Sequence, residues 1–318
     1  MNWRPTASLA ALERRASMLA AAREFFAKRG VLEVETPILS AAAVSDPHIE
    51  SLATEVAGST ATVYLCSSPE YAMKRLLAAG CGDIYQICKA FRDGERGRWH
   101  NPEFTLIEWY RLGFDDAALM GEVEALIGYL LAPDRQLAPA ERLSYSDAMQ
   151  RHAGVDADAG EEDLAESARR HGIDCDAELD RDAKLDLLMS LVVGPRLGFE
   201  RPCFIGDYPV SQAALARLKP GPPPVAARFE LYLEGIELAN GFHELANAAQ
   251  QRERFARDLT LRRQRGLATP PVDEHLLAAL ASGIPDCAGV ALGFDRLVAI
   301  ALTAPRLAEA MAFSIDNA

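Results

Sequence analysis

A chain of 318 residues with 33 lysines and arginines against 46 aspartates and glutamates carries a formal charge of -13, and 49% of it is hydrophobic. Such a composition describes a globular protein of one large or two modest domains, and it argues against a broad electrostatic grip on a nucleic acid backbone. No apolar run approaches the roughly 20 residues of a membrane span, the first residues lack a signal-peptide core, and six scattered cysteines show neither C-x-x-C nor zinc-ligand spacing, so a reducing, cytoplasmic setting is expected.

In chain order, Leu9 to Arg29 reads as a helix. Leu9, Leu12, Ala16, Leu19 and Phe26 recur at helical steps, Ser8 can cap the start, and Gly30 supplies the stop. VLEVETP follows as a short strand ended by Pro37, and two more strands are expected near Ala53–Val56 and Val63–Cys66. Ser68-Pro69-Glu70 then opens a short helix carrying Tyr71, Lys74, Arg75 and Leu77. Glu70 there either favours the helix dipole or belongs to a site.

The stretch Cys88 to Arg111 is the first concentrated signal. An apolar run, Ile84 to Phe91, exits at Arg92 into the charged loop Asp93 to Arg98, and HNPEF leads into a second strand. Alternation puts Phe104, Leu106, Glu108 and Tyr110 on one face and Thr105, Ile107, Trp109 and Arg111 on the other. An aromatic ring, a carboxylate and a phenol in line suggest a floor for a ligand with an aromatic base and a cationic group. A strand with one solvated face is the plain alternative.

Asp115 to Leu131 reads as an amphipathic helix, and residues 134–200 as a helical, acid-rich region with nothing catalytic in it. Asp207 to Ser211 returns to strand and turn, and Pro220 to Pro224 forms a stiff loop. The second signal is RFELYLEGIELANGFHEL, Arg228 to Leu245. A turn at Glu234-Gly235 would pair Tyr232 with Glu237 and make Glu230 its diagonal neighbour on the same face. Two carboxylates so placed repel unless a cation lies between them, and hard oxygen ligands suit Mg²⁺. The plain alternative is that these acids face solvent. After a helix from Ala249 to Arg265, GVALGFDRLVAIALT gives a strand and then a helix with Arg296 in its first turn. Arginine there opposes the dipole, which points to an anion ligand.

Together these residues resemble the catalytic core of class II aminoacyl-tRNA synthetases in the lysine-specific branch. RGVLEVETP is similar to that class's first motif, FRDGERGRWHNPEF to its second and GVALGFDRL to its third. With SSPE before the second and ELANGFHEL before the third, nearly the whole chain is covered. The first-motif helix starts within ten residues of Met1, leaving no room for an anticodon-binding domain. A freestanding core of this kind resembles the elongation factor P–lysine ligase family. The implied fold is α+β: a mainly antiparallel sheet flanked by helices in a single catalytic domain over 1–318, with a helical insertion around 115–200, as a homodimer. The implied activity is ATP-dependent activation of (R)-β-lysine, or lysine, and its transfer to a lysine of elongation factor P, with stable tRNA binding not expected. The rivals are a truncated lysyl-tRNA synthetase that charges tRNA and a non-catalytic lysine sensor.

The resemblance also implies roles. Arg92 would hold the α-phosphate and the attacking carboxylate, and Arg92 and Arg296 would be the catalytic pair. Phe104 and Arg296 would sandwich adenine. Asp93, Gly94, Glu95, His100, Asn101, Glu237, Leu238 and Gly293 would complete the ATP site. Glu230 and Glu237 would carry Mg²⁺. Ser68, Pro69, Glu70, Glu108, Tyr110, Asn240, Phe242, Glu244 and Ala291 would hold the amino acid, with Glu244 on its side-chain ammonium. The chain departs from the class pattern at Gly94, where a glutamate is expected and Glu95 follows one position later. Ala291 stands where lysyl-tRNA synthetases usually have glycine, and its methyl would favour a β-amino acid.

Overall fold

The protein's computed structural model describes residues 3–58, 61–175 and 179–318, and it divides into two compact units: Met1–Phe114 with Leu245–Ala318, and Asp115–Glu244. Residues 176–178, inside the region expected to be helical, lie outside the described residues.

The first unit begins with helix α1, Leu9–Ala27, capped by Ser8, whose hydroxyl accepts from the Ala11 amide at 3.1 Å. Gly30, at φ 68°, lets the chain leave the helix in the left-handed conformation that glycine adopts without penalty. The buried face of α1 is not the expected one. Ala11, Met18, Ala22, Phe25 and Phe26 point inward, whereas Leu9 is 72% exposed. Alanines on every side of this helix leave its apolar stripe undefined by sequence alone. There follow β1 (Leu32–Glu33), β2 (Leu39–Ser40), β3 (Ala53–Glu55), β4 (Thr62–Leu65), α2 (Glu70–Ala78), β5 (Ile84–Phe91) and β6 (Glu103–Leu112).

The second unit holds α3 (Asp116–Leu131), β7 (Glu141–Ser144), α4 (Tyr145–Ala153), α5 (Glu161–Arg170), α6 (Arg181–Leu188), β8 (Cys203–Tyr208), β9 (Leu218–Lys219), β10 (Val225–Leu233) and β11 (Ile236–His243). The first unit resumes with α7 (Ala248–Gln264), α8 (Glu274–Ser282), β12 (Cys287–Gly293) and α9 (Phe294–Ala301).

Within unit 1, β5 pairs antiparallel with β6 and β6 with β12, while the short β1 joins β5 in parallel. Met73 and Leu77 of α2, Phe255 of α7 and Leu276, Leu277 and Leu280 of α8 pack with Ile84 and Tyr110 of the sheet. A separate antiparallel sheet joins β2, β4 and β3. Within unit 2, β10 pairs antiparallel with β8, β9 and β11, and β7 adds to β8 in parallel. Residues from α4, α5 and α6 pack with Cys203, Ile205 and Tyr208 of β8 in one buried cluster. The fold is therefore α+β, with mainly antiparallel pairing. No helix among the described residues is long and apolar enough to cross a membrane. The six cysteines are unbridged.

Candidate functional site

The unit 1 residues singled out by the sequence gather on β5, β6 and β12 and at the start of α2 and α9. Strand β6 shows the expected alternation, and Tyr110 donates to Glu108 Oε1 at 2.8 Å on the shared face. Glu108 is 2% exposed, and its other oxygen accepts from Ser68 Oγ at 2.8 Å. Ser68 Oγ also accepts from the Glu70 amide at 3.0 Å, so one hydroxyl fixes the start of α2 against the strand floor. Burial, and then the charge of Glu70, push the Glu108 carboxyl up to about 7, against the pull of Ser68, Tyr110 and Lys74.

Glu70 is itself held by Lys74, one helical turn on, at 2.6 Å. Lys74 is 1% exposed. The spacing was readable from sequence, but its burial was not. Taking away one partner of a buried pair leaves a charge in low dielectric, so Lys74→Met is expected to lower the unfolding free energy at pH 7 by roughly 3 kcal/mol. Denaturant titration checks this, and an unchanged midpoint would show that the pair does not stabilise the fold.

Ala291 lies directly across from Glu108 on β12, and Gly293 across from Leu106. Burial, and next the Glu108 charge, push the thiols of Cys66 and Cys88 upward, which keeps both protonated and poor nucleophiles.

At the other end of β6 stands the charged loop. The Arg92 amide donates to Pro102 O at 2.9 Å, closing the base of the loop, and the Asp93 amide donates to Glu50 O at 2.8 Å. Glu50 is held by the buried Arg262 at 2.6 Å. The Arg92 guanidinium lies over the Phe104 ring at 5.0 Å, and its Nη1 meets Glu95 at 3.4 Å. The buried Nε of Arg92 has no hydrogen-bond partner among the described residues. Glu95 is thus engaged with Arg92. Gly94 has φ 74°, a conformation in which a glutamate would be strained, so the loop's path and the departure from the class pattern go together.

Asn101 is used structurally: its Nδ2 donates to Glu103 O and its Oδ1 accepts from the Ile315 amide at 3.0 Å. Arg296 donates to Trp99 O at 3.2 Å and meets His100 Nε2 at 2.8 Å. Burial and then the Arg296 charge lower the His100 pKa, so the neutral imidazole can accept from the guanidinium. The residue before Arg296, Asp295, is buried, pairs with Arg15 at 2.6 Å and accepts from the Thr105 amide at 2.7 Å. That node fixes the start of α9 to the strand position next to Phe104, a link the sequence did not reveal.

In unit 2 the hairpin β10–β11 turns at Glu234 and Gly235, both at positive φ, as a two-residue turn requires. Tyr232 pairs with Glu237, as the turn position implied, while a one-residue shift of register sets Glu230 opposite Asn240. Leu238 forms a bulge between them, so Glu230, Tyr232, Glu237 and Asn240 keep a common face. Both Glu230 oxygens are engaged: Arg228 Nη2 approaches Oε1 at 2.5 Å, and the Tyr232 hydroxyl donates to Oε2 at 2.7 Å. Arg228 also donates to Gln212 O and lies over the Tyr208 ring. The buried Asn240 Oδ1 accepts no hydrogen bond from the described residues. Phe242 pairs with Arg228, and Glu244 is 1% exposed on the segment that bridges Ala216.

Glu230 and Glu237 suit Mg²⁺, which takes one or two protein carboxylates and keeps its other positions for water and phosphate. A carboxylate oxygen has a second lone pair, so Arg228 and Tyr232 orient Glu230 as outer partners without removing it as a ligand. No group of three or more His, Cys, Asp or Glu side chains placed to hold a metal occurs among the described residues.

The family profile described as tRNA synthetases class II (D, K and N) matches residues 1–317. Proteins named elongation factor P–(R)-beta-lysine ligase from Salmonella arizonae and Salmonella dublin are each 49% identical to the chain, over 100% of it and 98% of their own length. The same figures hold for the protein of that name from Salmonella heidelberg. The chain belongs to the class II tRNA synthetase family of the D, K and N type.

Proposed function

We propose that the chain is an ATP-dependent ligase that activates (R)-β-lysine as its adenylate and transfers it to a lysine side chain of elongation factor P. The carrying observation is the buried carboxylate floor of unit 1, Glu108 held by Ser68 and Tyr110, on the strand face that also bears Phe104 under Arg92. A buried carboxylate set demands an ammonium partner and rejects neutral side chains. The full-length likeness to proteins named for this reaction supports the same reading.

In the first step a carboxylate oxygen of the amino acid attacks the α-phosphorus of ATP. The bond to the bridging oxygen breaks, and pyrophosphate leaves with the electron pair. No enzyme nucleophile is needed; charge neutralisation and alignment suffice. Arg92 neutralises the α-phosphate and the incoming carboxylate, and Phe104 supplies the stacking face for adenine. Asp93, Gly94, Glu95 and the backbone at His100 and Asn101 line the loop over the nucleotide, with Gly293 and Arg296 beside it. Glu70, Glu108 and Tyr110, with Ser68, Pro69 and Ala291, hold the amino acid. In unit 2, Glu230 and Glu237 would carry Mg²⁺, which neutralises phosphate charge when bound, with Leu238 contributing backbone. The Asn240 amide, Phe242 and Glu244 are that unit's groups for the amino acid. In the second step the neutral ε-amine of the acceptor lysine attacks the adenylate carbonyl, AMP leaves, and the amine gives up a proton.

A cytoplasmic setting and a homodimer belong to this reading, and exposed Leu9, Leu32 and Leu39, close in sequence around the first motif, support a partner surface. Purified protein with ATP and (R)-β-lysine is expected to exchange pyrophosphate and to add one aminoacyl group to elongation factor P. Charging of tRNA without any product on elongation factor P would overturn the reading, and so would absence of exchange with every lysine isomer.

A further inference from the structure

Register puts three side chains in one row across the unit 1 sheet. Gln86 of β5 faces Glu108 of β6, and Glu108 faces Ala291 of β12. Directly opposed residues of an antiparallel pair project from the same face. Glu108 therefore has Ala291 on one flank and Gln86 on the other. Gln86 is 4% exposed, and its buried Oε1 accepts no hydrogen bond from the described residues. A buried amide oxygen left unsatisfied is costly and calls for a donor. Ser68 and Tyr110 already donate to Glu108, and Lys74 to Glu70.

We infer that Gln86 is a specificity-determining residue whose amide oxygen accepts a hydrogen bond from the same substrate ammonium that Glu108 binds. The inference rests on the proposed ligase reading. In that reading the Glu108 row takes the ammonium nearer the substrate's carboxyl group. That group sits on carbon 3 of β-lysine and on carbon 2 of lysine. An acceptor fixed on a sheet strand, unlike one on a loop, meets the ammonium at only one of these positions. The neutral amide suits this place better than a second carboxylate would, because a glutamate opposite Glu108 adds a like charge to a buried pair. Gln86 and Ala291 thus bracket the amine from both sides, one by hydrogen bonding and the other by shape.

Kinetics of pyrophosphate exchange test it, with (R)-β-lysine, lysine and ATP each varied. Gln86→Met keeps the length and removes the acceptor. It is expected to raise the KM for (R)-β-lysine about tenfold, leave the KM for ATP unchanged, and shrink the preference for β-lysine over lysine. Should that variant not fold, Gln86→Asn, which withdraws the amide by one methylene, is expected to give the same split with a smaller rise. Gln86→Glu is expected to retain amino acid binding with its pH profile displaced upward. An active parent enzyme whose folded Gln86→Met or Gln86→Asn variant keeps both amino acid KM values overturns the inference alone, as does an equal rise in the KM for ATP. A parent with no exchange overturns the ligase reading and the inference with it.

Discussion

Replacing Arg92 with alanine is expected to reduce pyrophosphate exchange by about three orders of magnitude while leaving the fold intact. The loss follows from the chemistry of the first step. Negative charge converges on the α-phosphorus from the attacking carboxylate and the phosphate oxygens, and a preorganised donor aimed at such charge contributes roughly 10²–10³ in rate. Arg92 adds to this its place over the Phe104 ring, so its removal also disturbs the stacking face. Its buried Nε has no hydrogen-bond partner among the described residues and suits an anion. Arg92→Lys keeps the charge but not the planar fork, and exchange should fall by more than tenfold. The loop itself is closed by main-chain bonds from Arg92 to Pro102 and from Asp93 to Glu50, which neither substitution touches. An unchanged thermal midpoint with lost exchange is therefore the expected pairing. Full exchange by Arg92→Ala would remove the residue from the mechanism.

What the sequence made legible was local. The turn at Glu234-Gly235 requires positive φ at both residues, and that alone set Tyr232 opposite Glu237. The cap at Ser8 and the stop at Gly30 likewise act within one helical turn. Strand alternation placed Glu108 and Tyr110 on one face because a pleat has period two. What was not legible depends on pairing across long loops. Gln86 looks like any polar residue in an apolar run until the register of β5 against β6 sets it beside Glu108. The Arg15–Asp295 pair joins positions 280 apart, which no periodicity reports. The inward face of α1 was misread because alanine packs or solvates equally well, so Leu9 and Leu12 dominated a pattern whose true anchors are Met18, Ala22 and Phe25. Gly94 is the converse case. It departs from the class pattern, and the backbone angle supplies the reason.

Glu108→Gln is expected to cost more than a hundredfold in kcat/KM for the amino acid, to leave the KM for ATP unchanged, and to stabilise the protein at alkaline pH. The three effects have one origin. Burial, reinforced by the charge of Glu70, raises the Glu108 carboxyl from 4.5 to about 7. A carboxyl that is a stronger proton binder in the folded chain than in the unfolded one stabilises the fold while protonated. That contribution is intact below about 4.5, declines as the pH rises, and is gone above about 7, a difference on the order of 3 kcal/mol. The glutamine variant carries no such dependence, so its unfolding free energy should exceed the parent's increasingly from pH 5 to pH 8. Substrate acts in the opposite direction. An ammonium beside Glu108 favours the ionised carboxylate, so binding should release a proton, and the KM for the amino acid should fall as the pH rises toward 7 and then level. The variant, neutral throughout, should show a flat KM over that interval. Calorimetric titration in buffers of different ionisation heat reads the released proton directly, and denaturant titration at pH 5 and pH 8 reads the stability term. A parent that releases no proton on binding, or a variant that gains nothing at pH 8, would mean that Glu108 is ionised in the free protein and that the Glu70–Lys74 pair, not burial, dominates its field.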